Sequence, residues 1–296
     1  MTASRKDFAF AVLASFLSSV SSITGVGVAK TLGAFTLGSL SQLLGGLMVF
    51  FSIKASNERV DWQKLRLHLR DFTFLVVLRC IIGMSLFAYG LGLTDAIKAI
   101  FFTKVEPYFV LAWSWLLRGE KIKASHAFLL LVHISGAVLL STGGNLAGLG
   151  KSQAGDFLII AAMGMLSLSY LPAKKLSIEL GAKATNALTQ VVGGLALLPL
   201  AVLFAPPAKV LALEVTGWVF LAIHSVLYNL VSQTLWYASL KTVQGWMVSA
   251  LRALGPLLAA PVAFFLFGET LEPMQLVGAA IVLLTSLLMA REHFKK

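Results

Sequence analysis

TDAIKAIFFTKVEPYFVLAWSWLLRGE, residues Thr94 to Glu120, is apolar and long enough to cross a bilayer, yet it carries Lys104, Glu106 and Pro107 near its middle. A charged side chain at the centre of a membrane helix costs about 2.5–3.5 kcal/mol, whereas each Leu, Ile, Phe or Val returns only about 0.3–0.6 kcal/mol. Ionisable residues at that depth are kept for function or for pairing. A second stretch, VQGWMVSALRALGPLLAAPVAFFLFGE from Val243 to Glu269, repeats the plan, with Arg252 ahead of Pro256 and the same terminal Gly-Glu. The two segments are expected to face each other across a substrate site.

The surrounding chain belongs to the same solvent. Over 296 residues, 58% are hydrophobic and 12% charged, with a mean hydropathy of +0.86. A soluble domain carries about 25% charged residues, and runs of eighteen or more apolar residues read as membrane helices. Ten such runs fit, at 8–29, 33–53, 72–92, 95–117, 124–142, 155–173, 184–204, 214–238, 243–266 and 273–290. The expected fold class is therefore an all-α polytopic membrane protein of ten transmembrane helices. An outer-membrane barrel would alternate apolar and polar residues over ten-residue segments, and that pattern does not occur. The first run follows Arg5 and Lys6 and is longer than a signal-peptide core, which makes it an uncleaved first helix. Cys80 is the single cysteine, so there is no disulfide framework.

The net charge of +11 does not gather into one soluble patch of the kind that binds nucleic acid. It follows the membrane instead. With the N-terminus placed in the cytoplasm, seventeen Lys and Arg residues fall on the cytoplasmic side, and only Lys30, Lys151 and Lys209 on the other. The positive-inside rule then puts both termini in the cytoplasm of a multi-pass protein of the cell (inner) membrane. Between Ala55 and Arg70, Trp62, Leu65, Leu67 and Leu69 interleave with basic residues. That segment is either a short amphipathic surface helix or a solvated basic loop.

Compared with itself, the chain repeats. Asp7-Phe8 recurs as Asp156-Phe157, and Ser41-Gln42-Leu43-Leu44-Gly45-Gly46-Leu47 as Thr189-Gln190-Val191-Val192-Gly193-Gly194-Leu195, at offsets of 149 and 148. Pro107 recurs as Pro256 and Gly119-Glu120 as Gly268-Glu269, each at 149. The expected organisation is two homologous five-helix repeats, 1–148 and 149–296, forming one transport domain. Five spans is an odd number, so the second repeat enters the membrane upside down relative to the first. Inverted repeats of this kind mark many secondary transporters, whose sites lie near the midplane between the repeats.

These features resemble a known family. The two five-helix halves, the Gly-Glu closing the fourth and ninth spans, and the runs Tyr-Gly-Leu-Gly-Leu-Thr from Tyr89 and Tyr-Ala-Ser-Leu-Lys-Thr from Tyr237 look like the drug/metabolite transporter superfamily, in its EamA-type branch. The resemblance covers nearly the whole chain and implies its fold. Members carry amino acids, organic cations, sugars, nucleotide sugars and phosphorylated metabolites. Lys104 to Pro107 is also similar to the Lys and Glu-Pro of triose-phosphate translocators, where cations on the fourth and ninth helices hold the anion. Their Lys stands one residue further from the Glu, and their ninth helix carries adjacent Lys and Arg where this chain has Arg252 alone.

Depth tests the site independently of the family. At a rise of 1.5 Å per residue, Arg79, Arg252 and Lys104 lie roughly 11–15 Å inside their spans, near the middle of a core about 30 Å thick. Glu106 is the only carboxylate at that depth. Three cations against one carboxylate leave the centre two charges positive, a state that calls for water or an anion. The expected partners are an anionic small molecule and the lipid bilayer. Arg79 could instead snorkel or pair with Glu106, and Glu106 could be a coupling carboxylate or a fixed counter-ion. Lys98 lies at the outer mouth beside Asp95, where snorkelling or ion pairing competes with ligand contact.

Pro107 and Pro256 remove the hydrogen bonds that Thr103 and Arg252 would accept, so each half should kink beside its charge. Gly45-Gly46 and Gly193-Gly194 read as close helix contacts. Gln42 and Gln190 could line the cavity or bond across helices. Tyr228 and Asn229 lie well inside their span and are candidate substrate contacts. His126, His133, His224 and Trp246 read as packing or interface residues.

Metal, nucleophile and nucleotide-binding signatures are missing, so no cofactor, no catalytic residue and no enzymatic activity are expected. The leading reading is a secondary carrier of a small anionic or zwitterionic metabolite working by alternating access, as exchange or coupled to protons. One alternative is an exporter of amino acids or amphipathic drugs with structural charges. The other is a membrane enzyme or lipid-phosphate-handling protein, whose charges would sit near one headgroup layer. Nothing in the sequence sets an oligomeric state.

Overall fold

The computed structural model describes residues 3–94, 96–121, 123–145, 154–204, 207–267 and 271–294. These residues form helices only. In chain order they are α1 (Ala3–Leu32), α2 (Ala34–Ala55), α3 (Trp62–Leu67), α4 (Leu69–Gly92), α5 (Ala96–Thr103), α6 (Glu106–Arg118) and α7 (Ala124–Thr142), then α8 (Ala154–Glu179), α9 (Ala182–Phe204), α10 (Pro207–Leu211), α11 (Val215–Ser239), α12 (Gly245–Leu251), α13 (Leu254–Phe267) and α14 (Pro273–Phe294). Among the described residues, eight helical segments are long and apolar enough to cross a membrane. Outward-facing side chains are apolar too: Phe51, Phe128, Leu203 and Phe265 are exposed, as lipid contact requires.

Both expected kinks are complete breaks. Lys104 and Val105 separate α5 from α6, and Arg252 and Ala253 separate α12 from α13. The physical reason is the missing proline donors: the chain closes each gap with short turns, Val105 N–H to Phe102 O and Ala253 N–H to Ala250 O. An offset of 148 carries one break onto the other, Thr103 onto Leu251 and Glu106 onto Leu254. The same offset relates two π-helical turns, Val77–Gly83 in α4 and Ser225–Ser232 in α11, whose first residues coincide. Neither turn has a signature in the sequence.

The glycine pairs divide their work. Gly46 and Gly194 bring α2 against α9: a Cβ on Gly46 would stand 2.8 Å from Val191, and one on Gly194 would stand 2.8 Å from Leu43. The Ser39 hydroxyl donates to the Gly194 carbonyl at 2.8 Å across that contact. Gly193 takes the π turn of α4 at Cys80, while Gly45 takes the π turn of α11 at Asn229. Each repeat's glycine therefore seats the other repeat's widened turn.

Around the α2–α9 pair, α1 packs on α11, α12 and α13, and α8 packs on α4, α5 and α6. Matching latches join these groups. The Thr242 hydroxyl donates to Asp7 Oδ2 at 2.8 Å, and the Thr94 hydroxyl donates to Asp156 Oδ1. The chain ends meet on one face, with the Phe8 ring 5.4 Å from Phe294. Behind that terminal face lies the largest core cluster, containing Ala11, Phe72, Leu75, Val110, Leu176, Leu240, Trp246 and Met289. Trp246 is 2% exposed, so it belongs to the core and not to a membrane interface. On the same face α3 forms with Asp61 capping the Lys64 N–H at 2.9 Å and Trp62 and Leu67 exposed, which is the surface-helix form of that segment.

Candidate functional site

A cavity of about 490 Å³ occupies the centre. Its lining reaches Ala29, Ala34 and Leu91, at helix ends remote from the termini, and stops mid-helix on the other side. There the core cluster fills the terminal half, so among the described residues the cavity opens toward the far face. Beneath it lies an aromatic cluster: Tyr237 lines the cavity and meets Trp236 on α11 at 4.7 Å, and Trp236 meets Tyr170 on α8 edge to face at 5.0 Å.

Four charged residues line it among the described residues: Arg79, Lys104, Glu106 and Arg252. The breaks place three of them. Lys104 and Arg252 follow the last residues of α5 and α12, where the helix dipole favours a cation, and Glu106 begins α6, where it favours an anion. Glu106 is buried; its Oε2 lies 3.4 Å from Arg252 Nη1 and accepts the Ser249 hydroxyl at 2.8 Å. Its Oε1 is buried without a hydrogen bond among the described residues. The Arg252 side chain keeps 38% of its exposure, so the guanidinium is still open to the cavity. Lys104 Nζ makes no ion pair or hydrogen bond among the described residues.

Arg79 is held differently. It donates to Gln233 Oε1 at 3.3 Å and lies 4.2 Å from the centre of the Trp236 ring, a cation–π contact. Its partners are thus Gln233 and Trp236 rather than Glu106, and the ring offers a partner that a search for carboxylates overlooks. The four charges leave the cavity with two net positive charges.

Gln42 and Gln190 line the cavity where α2 crosses α9, and Tyr228 and Asn229 enter it from the π turn of α11. Pro107 and Pro256 line it beside the breaks. His224 stacks on Tyr228 at 5.4 Å and its Nδ1 lies 3.0 Å from the Ser21 carbonyl, so it serves packing and the cavity wall together. His133 also touches the cavity, with its ring nitrogens engaged by Thr285 Oγ1 at 2.7 Å and the Ala250 carbonyl at 2.8 Å. His126 lies away from the cavity, against Glu292 and Trp246.

Lys98 is not in the lining. It is 3% exposed and lies 3.6 Å from Asp156 Oδ2, so it fastens α5 to α8. Asp95, its expected neighbour at the mouth, lies outside the described residues, as do Lys151 and Lys296 of the charge pattern and the second Gly-Glu. Ser15, Ser18 and Ser19 of α1 are lining residues that the sequence reading missed. Their spacing of three and four, which sets them on one face of α1, was the available signal.

A polytopic helical membrane protein, built with an internal duplication around a central charged cavity, is the class that this geometry defines. The EamA-like transporter family model matches the chain twice, over residues 6–142 and 153–291, so the chain belongs to that family. It is 26% identical over 263 residues to an uncharacterized transporter of Methanothermobacter thermautotrophicus, covering 84% of this chain and 75% of that one. It is 24% identical over 216 residues to the uncharacterized transporter YetK of Bacillus subtilis, covering 71% of this chain and 66% of that one. A solved crystal structure of a protein superposes with a TM-score of 0.78 at 14% identity, over 96% of this chain and 98% of the other, a likeness of fold.

Proposed function

We propose that the chain is a secondary carrier of a small anionic or zwitterionic metabolite. Its ten spans act as two inverted five-helix repeats, 1–148 and 149–296, that alternate access to one central site. Lys104 and Arg252 bind the anionic group from opposite repeats, and Arg79 adds its charge from the floor. Glu106 is the counter-ion that holds Arg252 when the carrier is empty. Gln42, Gln190, Tyr228 and Asn229 complete the contacts, and Lys98 stays outside the lining in its pair with Asp156. The termini face the cytoplasm of the cell membrane, so the cavity faces outward.

One observation carries this reading: two cations stand at equivalent helix breaks on one cavity, and among the described residues a single carboxylate answers them. Discontinuous helices with charged ends are how carriers of this general kind hold polar cargo at mid-membrane. A lipid-phosphate enzyme would keep its charges at one headgroup layer, whereas these sit mid-helix. Thermal-shift screening of the purified protein against organic acids, phosphorylated metabolites and amino acids tests the proposal, because a ligand far above its dissociation constant raises the melting temperature by mass action. Stabilisation by anions that Arg252→Ala abolishes is expected. Stabilisation by simple cations alone contradicts it.

A further inference from the structure

The cavity is divided along its length. Its charged and amide residues lie at mid-helix, whereas the wall between them and the far face is formed by Leu37, Met84, Phe87, Ala88 and Leu91. On α4 this apolar wall runs from Met84 to Leu91, roughly 10 Å at the helical rise. Its apolarity is not a demand of the repeat. The counterparts of Leu37, Met84 and Leu91 at the offset of 148 are Thr185, Ser232 and Ser239, all buried in the closed half. Three of the five wall positions therefore carry polar groups where the wall is packed away and apolar groups where it lines an open cavity, while Phe87 and Ala88 have the apolar counterparts Leu235 and Trp236. An apolar wall facing water gains only when something apolar covers it.

We propose that the cargo is an amphipathic organic acid, with its anionic group at Lys104 and Arg252 and an apolar chain or ring against the Leu37–Met84–Phe87–Leu91 collar. This rests on the anion reading above and narrows it to acids that pair one charged end with an apolar body. A small hydrophilic anion satisfies the cations but leaves the collar wet. A neutral apolar molecule covers the collar but leaves two positive charges unanswered.

The test is calorimetric titration of the full chain in lipid nanodiscs with acetate, butanoate and hexanoate, subtracting uptake by empty discs. Hexanol, hexylamine, malate and inorganic phosphate serve as comparisons. Binding is expected to tighten about fourfold per added methylene. The gain should flatten in Leu91→Gln and in Met84→Gln, each of which places a polar group on a wall that faces the cavity and leaves the packed half untouched. Malate or phosphate binding as tightly as hexanoate, with no gain along the acid series, overturns the amphipathic cargo and leaves the anion site standing. Hexanol or hexylamine binding as tightly as hexanoate overturns the anion site itself. No saturable binding by any of the acids or by phosphate overturns both.

Discussion

Arg252 Nη1 lies 3.4 Å from Glu106 Oε2, and this contact joins the breaks in the two repeats. The carboxylate also accepts Ser249 from the residue triplet preceding Arg252, so α6 and α12 are clasped at the floor of the cavity. In the proposed carrier an arriving anion competes with Glu106 for the guanidinium. Glu106→Gln removes the competitor's charge at nearly constant shape. A hydrogen bond to a charged group is worth about 1.5–3 kcal/mol, so anion affinity measured by titration should rise by roughly tenfold to a hundredfold. Exchange across proteoliposomes should slow, since release loses the group that reclaims Arg252. Unchanged affinity means that the pair does not gate the site.

The α2–α9 crossing should be intolerant of side chains. Gly194→Ala sets a methyl 2.8 Å from Leu43 and 3.0 Å from the Ser39 carbonyl, inside a contact made by backbone. Overpacking of this kind costs about 1–3 kcal/mol, which should appear as a lowered melting temperature in detergent. Gly164→Ala is the control, because nothing lies within 4 Å of the added carbon. Equal melting temperatures for the two variants refute the close-contact role.

Lys98 and Asp156 form a nearly dry ion pair, with side chains 3% and 6% exposed. Removing one partner of a buried pair costs about 3–5 kcal/mol, whereas replacing both by apolar residues can be neutral. Lys98→Ala should therefore destabilise the protein strongly, and Lys98→Met combined with Asp156→Leu should recover much of the loss. Anion affinity of the folded Lys98→Met, Asp156→Leu protein should stay near the wild type, because Lys98 does not line the cavity. A loss of affinity comparable to that of Arg252→Ala makes Lys98 a ligand.

Topology is open to labelling. Cys80 is buried and the only cysteine, so Cys80→Ala gives a clean background. In intact cells an impermeant maleimide should react at Ser152→Cys and at Leu91→Cys, and not at Arg5→Cys. Cargo should protect Leu91→Cys. External labelling of Arg5→Cys reverses the assigned orientation.

Much of this was legible in the chain because the relevant physics is local. Pro107 and Pro256 cannot donate, so the breaks fall beside Lys104 and Arg252. The glycine pairs announce a close crossing, and the self-match announces the duplication that the family model also matches twice. What was not legible depends on partners distant in sequence. Lys98 finds Asp156 rather than a neighbour on its own helix, and Arg79 finds the face of Trp236. The π turns at Cys80 and Asn229 are set by which glycine they rest on in the other repeat, and no residue type encodes an extra backbone residue per turn. The terminal half is filled by a core cluster that includes Tyr170 and Trp236, side chains far apart in sequence that meet only in the fold.

The central claim is that Lys104 and Arg252 hold an anion together, and the direct test is titration of the wild type, Lys104→Ala and Arg252→Ala with the acid that stabilises the protein most. Losing one partner of a desolvated ionic contact costs about 2–5 kcal/mol, a thirtyfold to several-thousandfold loss of affinity. Each alanine variant should show that loss while remaining folded, and Arg252→Lys should retain part of the binding because the charge stays and the planar fork goes. Wild-type affinity in both alanine variants contradicts the account and leaves the two cations as structural charges.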